Sequence, residues 1–210
     1  MKMKIYYVLG AGLVLGLMAT TGRLAAQDGD NLFANPGFED TKEVDLTSGY
    51  FNSAINQGVN LGDEMVVQIP VNFDQFSATK LFKVVSGKPG EDVHSGNNAL
   101  LIDGGFYDRC TFPVQPGEII EVHYFIKVPD STGDSSVKVG VSFNLPGPDG
   151  VSLGMIEAKE PQVQVFPGSG WNEIIQEMVV PPLENINTAV FRFASTAPVL
   201  LDDVVVRLQH

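Results

Sequence analysis

Between Glu118 and Val128 the chain alternates: Ile120, Val122, Tyr124, Ile126 and Val128 fall on one parity, and Ile119, Glu121, His123, Phe125 and Lys127 on the other. A period of two belongs to a β-strand with one face on a core, because successive side chains leave opposite faces of a sheet. The first set reads as core, the second as an amphiphilic outer face. Val137, Val139, Val141, Phe143 and Leu145 repeat the pattern against Lys138, Gly140, Ser142 and Asn144, a small polar outer face.

After residue 26 the rest of the chain follows the same grammar. Short apolar runs are cut by Gly, Pro, Asn and Asp, and no stretch has a convincing helical period. Candidate strands are Asn31 to Ala34, Glu64 to Ile69, Leu81 to Val85, Ala99 to Ile102, Asp108 to Val114, Glu118 to Val128, Val137 to Leu145, Val163 to Phe166, Glu173 to Val180, Ala189 to Ala194 and Val199 to Leu208. Short strands punctuated this way predict an all-β sandwich. The segments Asn144 to Gly150, Ser86 to Gly90 and Pro167 to Gly170 read as loops, and Tyr50 to Gly62 as a long irregular one. With 210 residues, no fixed-period repeat and no interdomain linker, one domain is expected.

The first 26 residues read as a leader rather than as fold. Lys2 and Lys4 precede an apolar run from Ile5 to Ala19, followed by Leu24-Ala25-Ala26, the order of a secretory signal peptide cleaved near Ala26. The run falls short of the ~20 residues that span a bilayer, so no transmembrane anchor is expected after cleavage. The expected location is secreted, extracellular or periplasmic. Residues 27–210 form the expected sandwich.

Charge and cysteine content exclude several functions. Thirteen Lys and Arg face 25 Asp and Glu, a net charge of -12, and the leader removes only basic residues, so nucleic acid is a poor partner. The one cysteine, Cys110, reads as a small buried side chain, and with three histidines it leaves little material for soft-metal ligation. No Gly-x-Ser-x-Gly elbow, phosphate loop or dinucleotide fingerprint is present. With so many acids, a chance carboxylate pair says nothing of glycosidase chemistry. The chain reads as a non-enzyme.

Two features read as binding chemistry. Asp202 and Asp203 send one carboxylate to each face of the last strand, and the inward one needs compensation. Backbone amides or a hard cation with oxygen ligands would both serve. The second feature is the outer face of Glu118 to Val128. Sugars need flat aromatic rings beside amide, carboxylate or guanidinium groups, and Phe125 with Glu121, His123 and Lys127 offers both. Asn144 and Ser142 would extend that face if the two strands are adjacent. Further candidates are Phe106, Tyr107 and Arg109, and Tyr50, Phe51, Phe73 and Phe76 in the irregular early region. His94 reads as a solvated turn residue.

The opening Asn31-Leu-Phe-Ala-Asn-Pro-Gly-Phe-Glu39 and the closing Val199-Leu-Leu-Asp-Asp-Val-Val-Val-Arg-Leu208 carry a resemblance. With His94-Ser-Gly-Asn-Asn-Ala-Leu-Leu101, Pro116 to Lys127 and Gly170-Trp-Asn-Glu173, the whole mature chain resembles the carbohydrate-binding modules of the family 4, 9 and 22 type. The resemblance implies a galactose-binding-like β-jelly roll on a secreted protein, usually delivering an attached glycoside hydrolase. It implies a sugar on a concave sheet at Phe125, and a packing role for Trp171. It also implies a structural calcium tying the first strand to the last, with ligands Glu39 and Asp202 or Asp203, and with Gly37 and a backbone oxygen near Ser95 or Gly96 as further candidates. The expected partner is a carbohydrate, with a separate secreted enzyme or an envelope protein beside it. The alternative is a structural or protein-interaction sandwich of an extracellular or envelope assembly.

Overall fold

A computed structural model describes residues 3–4, 31–45, 66–71, 73–75, 81–130, 132–146, 152–157, 162–183 and 186–209. Ile5 to Ala26, Tyr50 to Gly62 and Phe76 lie outside the described residues, among which there is no helix. The strands are β1 (Met3–Lys4), β2 (Thr41–Asp45), β3 (Val66–Pro70), β4 (Phe73–Gln75), β5 (Leu81–Ser86), β6 (Asn98–Asp103) and β7 (Gly105–Pro113). They continue with β8 (Ile119–Lys127), β9 (Ser135–Pro146), β10 (Ser152–Glu157), β11 (Gln162–Val165), β12 (Asn172–Val179), β13 (Thr188–Ser195) and β14 (Val199–Gln209).

The first sheet runs β1-β12-β8-β14-β6-β5 and the second β10-β9-β13-β7-β4, with β11 also on β9; β2 and β3 form a separate hairpin. From β6 to β9, and again from β12 to β14, each successive strand crosses to the other sheet. The order β6-β14-β8-β12 facing β7-β13-β9-β10 is jelly-roll winding. The expected all-β sandwich is what the chain forms.

The alternation that predicted β8 holds along its length, with Ile120, Val122, Tyr124 and Ile126 at 0% exposure and the opposite parity half-buried. Val137, Val139, Val141 and Phe143 of β9 face them in the same core, also at 0%. Between the sheets an aromatic chain runs from Phe33 through Phe191 (ring centroids 4.9 Å) and Phe106 (6.0 Å) to Phe193 (5.6 Å). Phe106, a candidate ligand residue by sequence, is therefore core at 0% exposure, because it shares the inward parity of Phe112. Phe38 from the opening motif and Leu201 from the closing one meet in this single core.

Three local expectations change. Asn31 to Ala34 is not a strand, since the Asn31 side chain takes the amide of Val206 (2.8 Å) and the carbonyl of Val204 (2.9 Å), leaving the Leu32 amide to bond Val206 O at 2.9 Å. The segment read as the loop Asn144 to Gly150 begins inside β9, which extends to Pro146 and pairs with the unforeseen β10. The hairpin strand β2 and the short β4 were also unforeseen, being too short or too polar to show a period.

One polar pair sits inside the core. The Tyr124 hydroxyl donates to Gln176 Oε1 at 3.1 Å, both residues are buried, and burial pushes the phenol above its usual range. Tyr124→Phe leaves the Gln176 oxygen one donor short and is expected to cost about 1–3 kcal/mol in urea unfolding at pH 7. An unchanged midpoint would mean that Gln176 is satisfied without it.

Candidate functional site

The outer face of the first sheet is assembled by register. Opposite Phe125 on β12 stands Glu173, opposite His123 stands Ile175 and opposite Glu121 stands Glu177. On the other flank β14 places Val205 beside His123 and Arg207 beside Glu121. Gln209 Nε2 donates to Glu121 Oε2 (3.0 Å) and Glu177 Oε1 (3.2 Å), bridging two like charges that the register sets face to face.

The Phe125 end is covered by the loop that joins β5 to β6. His94 stacks on Phe125 with ring centroids 3.5 Å apart and planes 14° from parallel. Trp171 meets the same imidazole edge-on at 5.7 Å and 70°, and His123 tilts toward Phe125 at 5.2 Å. Lys127 Nζ (2.8 Å) and Trp171 Nε1 (3.3 Å) both donate to the carbonyl of Glu91. His123 Nε2 lies 3.2 Å from Glu173 Oε1 but is not aligned for a hydrogen bond, and this buried atom has no hydrogen-bond partner among the described residues.

That loop is held by carboxylates from both ends of the fold. Glu39 Oε1 accepts the amides of Asn97 (2.7 Å) and Asn98 (3.2 Å). Asp202 Oδ2 accepts those of His94 (2.9 Å) and Ser95 (3.2 Å). Asp203 Oδ2 pairs with His94 Nδ1 at 2.6 Å, while its Oδ1 accepts the Ser95 hydroxyl at 2.8 Å. A break in the β8–β14 register between Asp202 and Val205, with Asp203 at φ 48°, lets both aspartates reach the loop, Asp202 from a fully buried position and Asp203 from a part-exposed one. Gly96, at φ +58°, has no room for a side chain, because a Cβ would run into Glu39 Oε1.

Asp202 is the inward carboxylate the sequence called for. Burial, then the neighbouring Asp203 charge, lifts its pKa from 3.8 to about 6, against amide bonds from Asp203, Ser95 and His94 that pull it down. Asp203 Oδ1 (3.7 Å) and Asp202 Oδ1 (3.8 Å) flank the Cβ position that Gly37 leaves open, with the Glu39 Cγ at 3.6 Å, and carboxylate oxygens are the hard donors that calcium takes. Among the described residues no three His, Cys, Asp or Glu side chains are grouped as a metal shell, so backbone or water oxygens would have to complete one.

The sequence candidates fall into two groups. Phe125, His123, Glu121 and Lys127 share the first sheet's outer face. Tyr107 and Arg109 lie on β7 and Asn144 on β9, in the second sheet, so Asn144 and Ser142 do not extend the Phe125 surface. The reason is the jelly-roll crossing: β8 and β9 are consecutive in the chain but never neighbours. In the second sheet Tyr107 is registered opposite Arg192, Arg192 opposite Gly140, and Arg192 Nη1 donates to the buried Ser142 hydroxyl at 3.2 Å. Sequence reasoning missed Arg192 and Glu173, and placed His94 in solvent. It read Trp171 as a packing residue, and the ring is half-buried against the His94 imidazole.

No family model matches the sequence, and no curated protein does. Among solved structures the chain is similar to the xylan-binding domain CBM22-1 of Paenibacillus barcinonensis Xyn10C, with 18% identity over 88% of this chain and 97% of that one and a TM-score of 0.49. It is also similar to TmCBM61 in complex with β-1,4-galactotriose (15% identity, 86% and 100% coverage, TM-score 0.38). A third likeness is to the enzymatically active domain of bacteriophage CBA120 tailspike protein 4 (11%, 85% and 21%, TM-score 0.44). Each is a protein to which this chain is similar, and its own β-sandwich stands on the strand pairing described above.

Proposed function

We propose that this protein is an exported, non-catalytic carbohydrate-binding module whose ligand lies on the outer face of the first sheet. The observation that carries the reading is the gathering of Trp171, His94 and Phe125 with Lys127, His123 and Glu173 at one end of that face. Rings with adjacent hydrogen-bonding groups are what a sugar's apolar faces and hydroxyls require. The non-catalytic part rests on how the candidate catalytic groups are spent. Asp203 takes both the His94 imidazole and the Ser95 hydroxyl, so the neighbouring serine is turned to the carboxylate and not to the imidazole. Calcium at Glu39 and Asp202 belongs to the same proposal, and its role would be to neutralise buried charge and fasten the loop that carries His94.

Affinity gels containing β-glucan, xylan, mannan or galactan test the reading. At least one should retard the protein, and Trp171→Ala should weaken that retardation about tenfold or more, in line with the loss of one aromatic stacking contact and its flanking hydrogen bonds. Arg192→Ala, on the opposite sheet, should leave it unchanged. Loss with Arg192→Ala alone would move the ligand to the second sheet, and no retention on any gel would end the sugar reading.

A further inference from the structure

We infer that His94 is a ligand-contacting residue of this face and that Asp203 is the positioning residue that decides which of its ring nitrogens meets the ligand; this rests on the carbohydrate reading above. A carboxylate only accepts hydrogen bonds, so the contact between Asp203 Oδ2 and His94 Nδ1 requires the proton of the neutral ring to sit on Nδ1. Nε2 is then a bare acceptor. The side chain is 28% exposed, and its hydrogen bonds run through the backbone amide and Nδ1, which leaves Nε2 without a partner among the described residues. A sugar hydroxyl resting against Trp171 can donate to it.

The competing idea is that His94 is a lid that vacates Phe125 when ligand arrives. The loop is tied too firmly for that. Amides of His94, Ser95, Asn97 and Asn98 are all bound to Glu39 or Asp202, and the imidazole and the Ser95 hydroxyl to Asp203. Lifting the ring would break several charge-assisted bonds at once. The left-handed backbone of Asp203 is a strained conformation kept by its surroundings, and it aims the carboxylate at the imidazole. His94 is held in place before any ligand binds, with its stacked ring and fixed tautomer as part of the binding surface.

Two measurements test the inference, one without ligand. Long-range proton–nitrogen NMR of the ligand-free protein near pH 8 should show His94 as the Nδ1-protonated tautomer. Asp203→Gly, which suits the positive φ, should return it to the ordinary mixture. Finding the proton on Nε2 in the wild type overturns the proposal whatever the ligand. Titration with soluble hexaoses of the cello-, xylo-, manno- and galacto- series then compares the wild type with His94→Phe, which keeps a ring over Phe125 but has no acceptor. About a tenfold loss with unchanged fluorescence of the single tryptophan, Trp171, is expected. Tighter binding would make His94 a lid, and unchanged binding would remove it from the contact; both overturn the proposal. A wild type that binds no hexaose would count against the carbohydrate reading and against the ligand-contacting role of His94, while the tautomer still tests the positioning by Asp203.

Discussion

Phe38→Ala is expected to lower the unfolding free energy by about 3–5 kcal/mol, moving the urea midpoint by roughly 2 M for an m-value near 2 kcal/mol/M. Phe38 is at 0% exposure and meets Phe33 edge-on at 6.1 Å, so truncation opens a cavity where the opening motif enters the core. The same residue shapes the turn that delivers Glu39 to the loop carrying His94. Its amide bonds Asn35 O at 3.1 Å, and the Val204 amide bonds Pro36 O at 2.8 Å, tying the turn to β14. Phe38 also sits at φ 55°, where alanine carries a steric cost of about 1–2 kcal/mol that glycine does not. Phe38→Gly should therefore be as stable as Phe38→Ala or more so, by up to about 1 kcal/mol, against the usual ranking of the two. Equal midpoints for wild type and Phe38→Ala would show that the two ends of the chain do not depend on one core.

The inward half of this fold was readable because a buried strand face writes itself as a period of two. Tyr124 and Val139 could be assigned to the core from parity alone. Parity says nothing about which strands are neighbours. Glu118 to Val128 and Val137 to Leu145 invited reading as one surface, yet the jelly roll sends them to opposite sheets, and Asn144 parts from Phe125 for that reason. Phe106 was offered as a ligand aromatic beside Tyr107 and Arg109, whereas its parity with Phe112 takes it inside.

The site was less legible than the core because it is made by a loop. His94 lies 31 positions before Phe125 in the chain, and nothing in His-Ser-Gly announces that the imidazole will lie on that ring. What brings it there is a set of carboxylates 55 to 109 positions away, Glu39, Asp202 and Asp203, binding the loop amides and the imidazole. Asp202 and Asp203 were singled out by their charge in an apolar strand. Their division of labour was not, since it depends on a register break that reverses the simple alternation. Trp171 shows the same gap, because its place beside His94 follows from the pairing of β12 with β8.

The charge on Asp202 should make the metal-free protein less stable as pH rises from 4 to 7. Its folded pKa, about 6, stands above the unfolded 3.8, so the native state holds the proton more tightly. A raised carboxylate of this kind stabilises fully below the lower value, and that contribution is lost as pH climbs through the upper one. A shift of about two units corresponds to ~3 kcal/mol, and Asp202 is wholly buried, so solvent does little to screen it. Other acids of the chain titrate in the same range, and Asp202→Asn isolates the effect. In EDTA, the stability of wild type relative to Asp202→Asn should fall by about 2 kcal/mol between pH 4 and pH 7. Parallel curves would mean that the three amide bonds already compensate the charge in full. Calcium at Glu39 and Asp202 would act on the same balance by favouring the ionised carboxylate. At a hundred times its dissociation constant it should add about 2.7 kcal/mol at pH 7, or roughly 5–10 °C in melting temperature for a chain of this size, and much less at pH 4. A melting temperature at pH 7 that is indifferent to calcium would assign the cluster to backbone amides and His94 alone.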